Sequence, residues 1–220
     1  MLSEQIIKSN NFKAKKCNIQ LTTREVEIIK FINQFGFCEM KQLKQYFGLK
    51  APHCYRTTRR LITSDLISHQ FIFHRQPGVF QATSLGAQFT ALPPLHKVPL
   101  ATYRHQLKVV EVAVYLLHLY PNSTWISERQ LAQDHYFKGF NAKGHVADGV
   151  LVLEDGKQIC IEVELTLKSR NRLAQILKSY STFFSVKEVW YVCPKQLAAI
   201  LKPLMGKHSF VKVLTIESLG

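Results

Sequence analysis

The chain is poor in the features that define several large classes of protein. Its five cysteines (Cys17, Cys38, Cys54, Cys160, Cys193) lie scattered, with no Cys-x-x-Cys pair. An odd, unclustered set argues against a disulfide framework or a structural zinc site and fits a reducing compartment. No stretch approaches the ~18 apolar residues needed to span a bilayer, and the opening MLSEQIIKSNNFKAKK lacks the apolar core of a signal peptide. The expectation is a cytoplasmic protein without a membrane partner. Acidic residues are also scarce: 15 Asp+Glu stand against 29 Lys+Arg in 220 residues, a formal charge of +14. Apolar residues at 46% and aromatics at 11% exclude a disordered or fibrous chain.

An excess of cations most simply implies a polyanionic partner, because each phosphate neutralised by Lys or Arg releases counterions and raises affinity. Nucleic acid leads; charge alone leaves an anionic surface or an acidic protein open. Residues 1–100 carry 14 Lys+Arg and 5 Asp+Glu, and residues 101–220 carry 15 and 10, so most carboxylates lie in the second half. Three prolines in ALPPLHKVPLATY, residues 91–103, stop regular structure there. The chain is accordingly divided into residues 1–95, with a basic N-terminal arm at Lys13, Lys15 and Lys16, and residues 96–220.

The first half reads as a winged helix-turn-helix. Thr22 and Thr23 offer a cap to an apolar helix holding Val26, Ile28, Ile29 and Ile32, which ends near Gly36. Met40, Leu43 and Phe47 recur at helical spacing up to Gly48, and a third helix follows Pro52. In that helix Leu61, Ile62 and Leu66 turn inward, leaving Tyr55, Arg56, Thr57, Arg59 and Arg60 on or near an exposed side. Two β-prone segments, HQFIFHR and VFQAT, are joined by Gln76-Pro77-Gly78 as a hairpin. The third helix is expected in the major groove of double-stranded DNA, with His74, Arg75 and the wing on the backbone. The alternative is a solvated basic helix on a domain that binds protein.

The second half carries a set of carboxylates. Residues 104–119 form one long, largely buried helix, on which Glu111 shares a face with Leu107, Val114 and His118. A charge there needs a cation or a metal to offset its desolvation. A strand around TWIS leads to Glu128 and a polar loop through Gly144; a second strand carries Asp148, and a third, QICIEVEL, carries Glu162 and Glu164. Side chains alternate across a strand, so Ile159, Ile161, Val163 and Leu165 face one way and Cys160, Glu162 and Glu164 the other. With Asp148 beside them in a hairpin, the oxygens suit Mg²⁺ or Mn²⁺, which would polarise a phosphate and activate a water. The next helix, about 169–183, buries Leu173, Ile176, Leu177 and Tyr180 and offers Lys168, Arg172 and Gln175 to a phosphate backbone. Tyr180 reads as core packing, with a strand-transfer nucleophile as the alternative. His145 and Glu128 either join the site or solvate strand ends. Cys160 reads as inert filler, and Trp125 and Trp190 as core.

The order αβββαβ, with Ala147-Asp148 for the PD element and Glu162-Val163-Glu164 for (D/E)xK, resembles the PD-(D/E)xK nuclease superfamily. Glu164 stands where that motif has its lysine, and Lys168 is a candidate replacement. With the winged helix in front, residues 20–195 resemble the replication-relaxation family, which includes MobC-type relaxases of mobilisable plasmids. That likeness rests on helix-turn-helix order, His105 to Glu111, WISE at 125–128, ADG at 147–149, IEVELTLKS, and Lys178-Ser179-Tyr180. It implies an α+β, two-domain chain that binds a transfer origin of a plasmid or integrative element and nicks one strand. It further implies a metal at Asp148, Glu162 and Glu111 with Glu164 beside it, and transfer of the strand to a type IV secretion coupling protein in conjugation. No H-x-H or close histidine trio exists among nine histidines, unlike the site of tyrosine relaxases. A second possibility is a non-catalytic regulator or relaxosome accessory at an operator, using a degenerate nuclease fold to form a homodimer or contact partners. A third is a host-defence or transposon endonuclease.

Overall fold

The structure is a computed structural model that describes residues 20–137, 145–182 and 188–219, so the basic arm read at Lys13 to Lys16 lies outside the described residues. Thr22 caps α1 (Thr23–Phe35) through a capping box with Glu25, so two backbone amides that have no partner within the helix are satisfied. A short strand β1 (Cys38–Glu39) leads directly into α2 (Met40–Phe47). Gly48 closes α2 in the left-handed region at φ 60°, a conformation that costs a residue with a Cβ. Pro52 sits in the first turn of α3 (Ala51–Thr63), where its missing N–H costs nothing. The hairpin of β2 (Ile67–Gln70) and β3 (Val79–Ala82) follows, and β1 joins its far side to give an antiparallel sheet in the order β1-β3-β2. A one-turn helix, α4 (Ser84–Ala87), completes this half.

The second half begins with α5 (Tyr103–Leu119) and continues through β4 (Thr124–Ser127), α6 (Glu128–Phe137), β5 (Gly149–Val152) and β6 (Gln158–Val163). After these come α7 (Arg170–Thr182), β7 (Glu188–Cys193), α8 (Lys195–Met205) and β8 (Val211–Thr215). Its sheet runs in the order β4-β5-β6-β7-β8, antiparallel as far as β6 and parallel from β6 to β8. Several elements depart from the sequence reading. Residues 128–137, expected as loop, form α6, and α8 with β8 extends the sheet by a further parallel strand.

Strand alternation sorts this sheet into two faces. Ile159, Ile161 and Val163 of β6, with Trp190 and Val192 of β7, pack towards α5. Cys160, Val189, Tyr191 and Cys193 pack towards α7 and α8, against Leu173, Ile176, Leu177, Tyr180 and Leu201. The α5-side cluster does not stop at the proline-rich segment: Ile28, Ile32, Leu43 and Leu61 of the first half belong to the same continuous core as Val110, Leu116 and Leu151. Polar bonds cross the same boundary, from Gln42 Nε2 to the Leu107 carbonyl at 2.7 Å and from Gln106 Nε2 to the Phe35 carbonyl at 2.8 Å. Each fully buried Leu or Ile in this shared core contributes roughly 1.5–3 kcal/mol, so the two halves stabilise one another.

Candidate functional site

Two places in the fold gather chemically capable side chains. The first is the outer face of α3. Cys54, Thr58 and Leu61 hold the helix against α1 and α2, which turns Tyr55, Arg56 and Arg59 outward; Tyr55 is 56% exposed. No ion pair engages Arg56 or Arg59 among the described residues; the polar neighbour of Arg56 is His53. Arg60 differs. Its guanidinium bonds Glu25 Oε1 and donates to the Gln20 carbonyl at 2.8 Å, fastening α3 to the start of α1. Burial pushes the Glu25 carboxyl up, but the Arg60 bond and the Thr22 amide and hydroxyl hold it below its ordinary value. Thr57 is half-buried and spends its hydroxyl on the His53 carbonyl at 3.0 Å. Of the residues read as a contact surface, Tyr55, Arg56 and Arg59 are thus free to meet a partner, whereas Arg60 positions the helix. Arg75 and His74 stand exposed in the β2–β3 hairpin, Arg75 in the left-handed region at φ 57°.

The second place is the end of the large sheet where β6 finishes and β5 begins. In open sheets with parallel strands, ligands collect at the carboxyl ends of those strands. Asp148 immediately precedes β5, and its Oδ2 accepts the Val163 amide at 2.7 Å, which ties it to the end of β6. His105 reaches the same spot from α5: its Nε2 lies 3.3 Å from Asp148 Oδ2 and 2.9 Å from the Val163 carbonyl. The Asp148 bond raises the His105 pKa, against the opposing effect of burial. Glu162 is 1% exposed, and its Oε1 meets His145 Nε2 at 2.5 Å and accepts the Tyr180 hydroxyl of α7. Glu164, 3% exposed, takes the Lys168 ammonium. Desolvation pushes Glu164 up, Lys168 pulls it back, and the Glu162 and Asp148 charges push again, leaving it above the ordinary carboxylate value. Glu128, at the start of α6, reaches solvent on one side; the protein mass around it and the charges of Asp148 and Glu162 raise its carboxyl as well.

This arrangement brings Asp148, Glu162 and Glu164 together, as their strands require, and leaves Glu111 out. Glu111 is ion-paired with Lys108 on its own helix and with Lys41 of α2, in a surface hollow of about 400 Å³ shared with Tyr115 and His118. The reason is helical geometry: six residues at about 100° each set Glu111 roughly 120° round α5 from His105. The side of α5 that touches the carboxylates therefore presents His105, and the cation that offsets the Glu111 charge is lysine rather than a metal. Lys168 is bonded to Glu164 instead of standing clear for phosphate, while Arg172 and Gln175 are exposed on α7.

Tyr180 is buried as an apolar-stripe residue should be, and also a donor to Glu162. Burial and the Glu162 charge drive its phenol pKa far up, so it holds its proton. Tyr191, opposite Glu162 in the β6–β7 register, is fully buried with a hydroxyl that has no hydrogen-bond partner among the described residues. Burial first, then the Glu162, Glu164 and Asp148 charges, raises its pKa too. Cys160 is buried beside Glu162, its thiol pushed up to about 12 by desolvation, as filler rather than nucleophile. Trp125 and Trp190 are core.

Each of the three carboxylates expected to hold Mg²⁺ or Mn²⁺ is already engaged by a protein donor. Such ions need several converging, unengaged oxygens. Here Asp148 is bonded to an amide and faced by His105, Glu162 is bonded to His145 and Tyr180, and Glu164 is bonded to Lys168. Among the described residues no group of three or more His, Cys, Asp or Glu side chains is arranged to hold a metal ion. What the site offers is two imidazole–carboxylate pairs and a lysine–carboxylate pair, fixed around a buried tyrosine hydroxyl.

No family model, no curated protein and no solved structure matches the chain. No helix among the described residues is long and apolar enough to cross a membrane.

Proposed function

We propose that the chain binds double-stranded DNA in a sequence-specific way, reading the major groove with α3 as a winged helix-turn-helix protein and acting at a transfer origin or an operator. The observation that carries this reading is the outward row of Tyr55, Arg56 and Arg59 on α3, held in place by the Arg60–Glu25 pair. A helix face exposing Tyr55 with Arg56 and Arg59, neither of them ion-paired among the described residues, suits phosphates and base edges. The order α1-β1-α2-α3-β2-β3 with a β1-β3-β2 sheet supports it, since α3 and the hairpin are then adjacent in space. Selection of duplexes from a random-sequence library by the full chain tests the reading. Enrichment of a shared site that R56A/R59A no longer enriches supports it, and recovery of unenriched sequences contradicts it.

A second reading, phosphodiester nicking by a PD-(D/E)xK-like domain, is favoured by the gathering of Asp148, Glu162 and Glu164 with two histidines and Lys168 at one sheet end. In that case the chain would prepare a strand for a type IV secretion coupling protein. Nicking of supercoiled plasmid carrying the selected site, lost in Asp148→Ala and Glu162→Ala, supports it. Equal nicking by both variants, or none by the wild type with Mg²⁺ or Mn²⁺, leaves DNA binding by a non-catalytic accessory protein.

A further inference from the structure

Among the described residues the large apolar side chain most exposed to water is Phe71, at 74%, where the chain leaves β2 for the hairpin loop. Its exposure is built rather than loose. Ile72 packs onto the cluster of Phe37, Val79, Val98 and Tyr103, and the Phe73 ring lies 5.0 Å from that of Tyr103. The residues immediately after Phe71 are therefore anchored inward while Phe71 is left outside. Below it, His69 stands edge-on at 5.1 Å and in turn lies 4.6 Å from the buried ring of Phe80. An aromatic column thus runs from the core to the surface and ends on a ring in water.

Charge in the same loop favours a polyanion. Between β2 and β3 the chain exposes His74 and Arg75 and contains no carboxylate. An exposed ring in a loop that also exposes an arginine and holds no acid has the makings of a base-stacking contact. Its reach is bounded as well. Eight steps along the chain lead from Thr63, the last residue of α3, to Phe71, so an extended chain places it within about 27 Å of the end of that helix. That is ~8 base pairs along a duplex at ~3.4 Å each.

We infer that Phe71 is a wedge that stacks between base pairs of the duplex held by α3 and kinks it. The inference rests on the DNA-binding reading above and goes further, because it predicts deformation of the DNA at a step that α3 does not read. The test uses the full chain and duplexes it has selected from a random-sequence library, labelled at both ends for energy transfer. The wild type shortens the end-to-end distance on binding. Phe71→Ala, with unchanged circular dichroism, binds roughly ten-fold or more weakly and leaves the duplex straight, while Phe71→Trp restores both. A Phe71→Ala chain that binds and bends like the wild type overturns the wedge. So does an effect of that substitution confined to self-association of the free chain. Failure of the α3 reading looks different: R56A/R59A then binds as well as the wild type, whatever Phe71 does.

Discussion

His105 Nε2 lies 3.3 Å from Asp148 Oδ2, joining a helix on one face of the large sheet to the strand end that carries the carboxylates. The pair raises the pKa of His105 above its ordinary 6.5. The folded state therefore binds the proton more tightly than the unfolded chain does. That contribution to stability is complete below the unfolded pKa and is lost as pH rises through the folded one. NMR titration of the His105 ring is expected to show an elevated pKa in the wild type that falls back in Asp148→Asn. An ordinary His105 titration in the wild type removes the pair from the account.

Arg60 sits among residues that read as a contact surface, yet its bonds to Glu25 and the Gln20 carbonyl make it a brace. Arg60→Ala leaves the buried Glu25 carboxylate with Thr22 alone and is expected to lower stability. Thr22→Ala removes the cap of the same helix, at about 0.5–2 kcal/mol. Both effects should shrink in acid, because the depressed Glu25 pKa contributes stability that is lost as pH falls through the folded value. Denaturant unfolding at neutral and acid pH measures this. A neutral-pH loss for Arg60→Ala no larger than for Arg59→Ala contradicts it.

Gly149 follows Asp148 directly, and a Cβ built on it would lie 2.1 Å from Cζ2 of Trp125. Trp125 is buried and Gly149 is paired with Ser127 across the β4–β5 ladder, so neither the ring nor the strand has room to retreat. Gly149→Ala is expected to cost roughly 1–3 kcal/mol through overpacking and to shift Asp148, lowering the His105 pKa in the same NMR titration. Wild-type stability with an unmoved His105 signal speaks against this tight approach.

Each carboxylate at the sheet end is already matched by a protein donor. Calorimetric titration of the full chain with Mn²⁺ is therefore expected to give no one-to-one isotherm. A stoichiometric isotherm abolished by Asp148→Ala would mean that the pairs open for an ion.

Much of this arrangement was legible in the sequence, because local rules operate there. Period-two alternation put Glu162 on the side of β6 opposite Ile161 and Val163, where the structure has it. Thr22, Gly48 and Pro52 mark helix ends that depend on capping and φ rather than on distant partners, whereas the hairpin expected to turn at Gln76-Pro77-Gly78 leaves β2 already at Gln70 and connects through residues 71–78. The missed features depend on long-range packing. A helical wheel shows that Glu111 faces Leu107 and His118, but not that α2 brings Lys41 to that face. His105 lies on the other side of the same helix, and its tie to Asp148 emerges once α5 crosses the end of β6. The Tyr180 to Glu162 bond was hidden for the same reason, since an apolar stripe says nothing of what a phenol tip meets. Residues 128–137 read as loop because a polar stretch with few apolar anchors resembles one, although Glu128 and Ser127 start a helix there.

The DNA-binding claim meets its most direct test in the salt dependence of fluorescence anisotropy with the selected duplex. If Arg56 and Arg59 contact phosphate or bases, the wild type should lose affinity linearly in log salt, and R56A/R59A should bind at least ~10-fold more weakly with a slope shallower by about 1 to 2. Identical affinities and slopes for the two chains would contradict the claim.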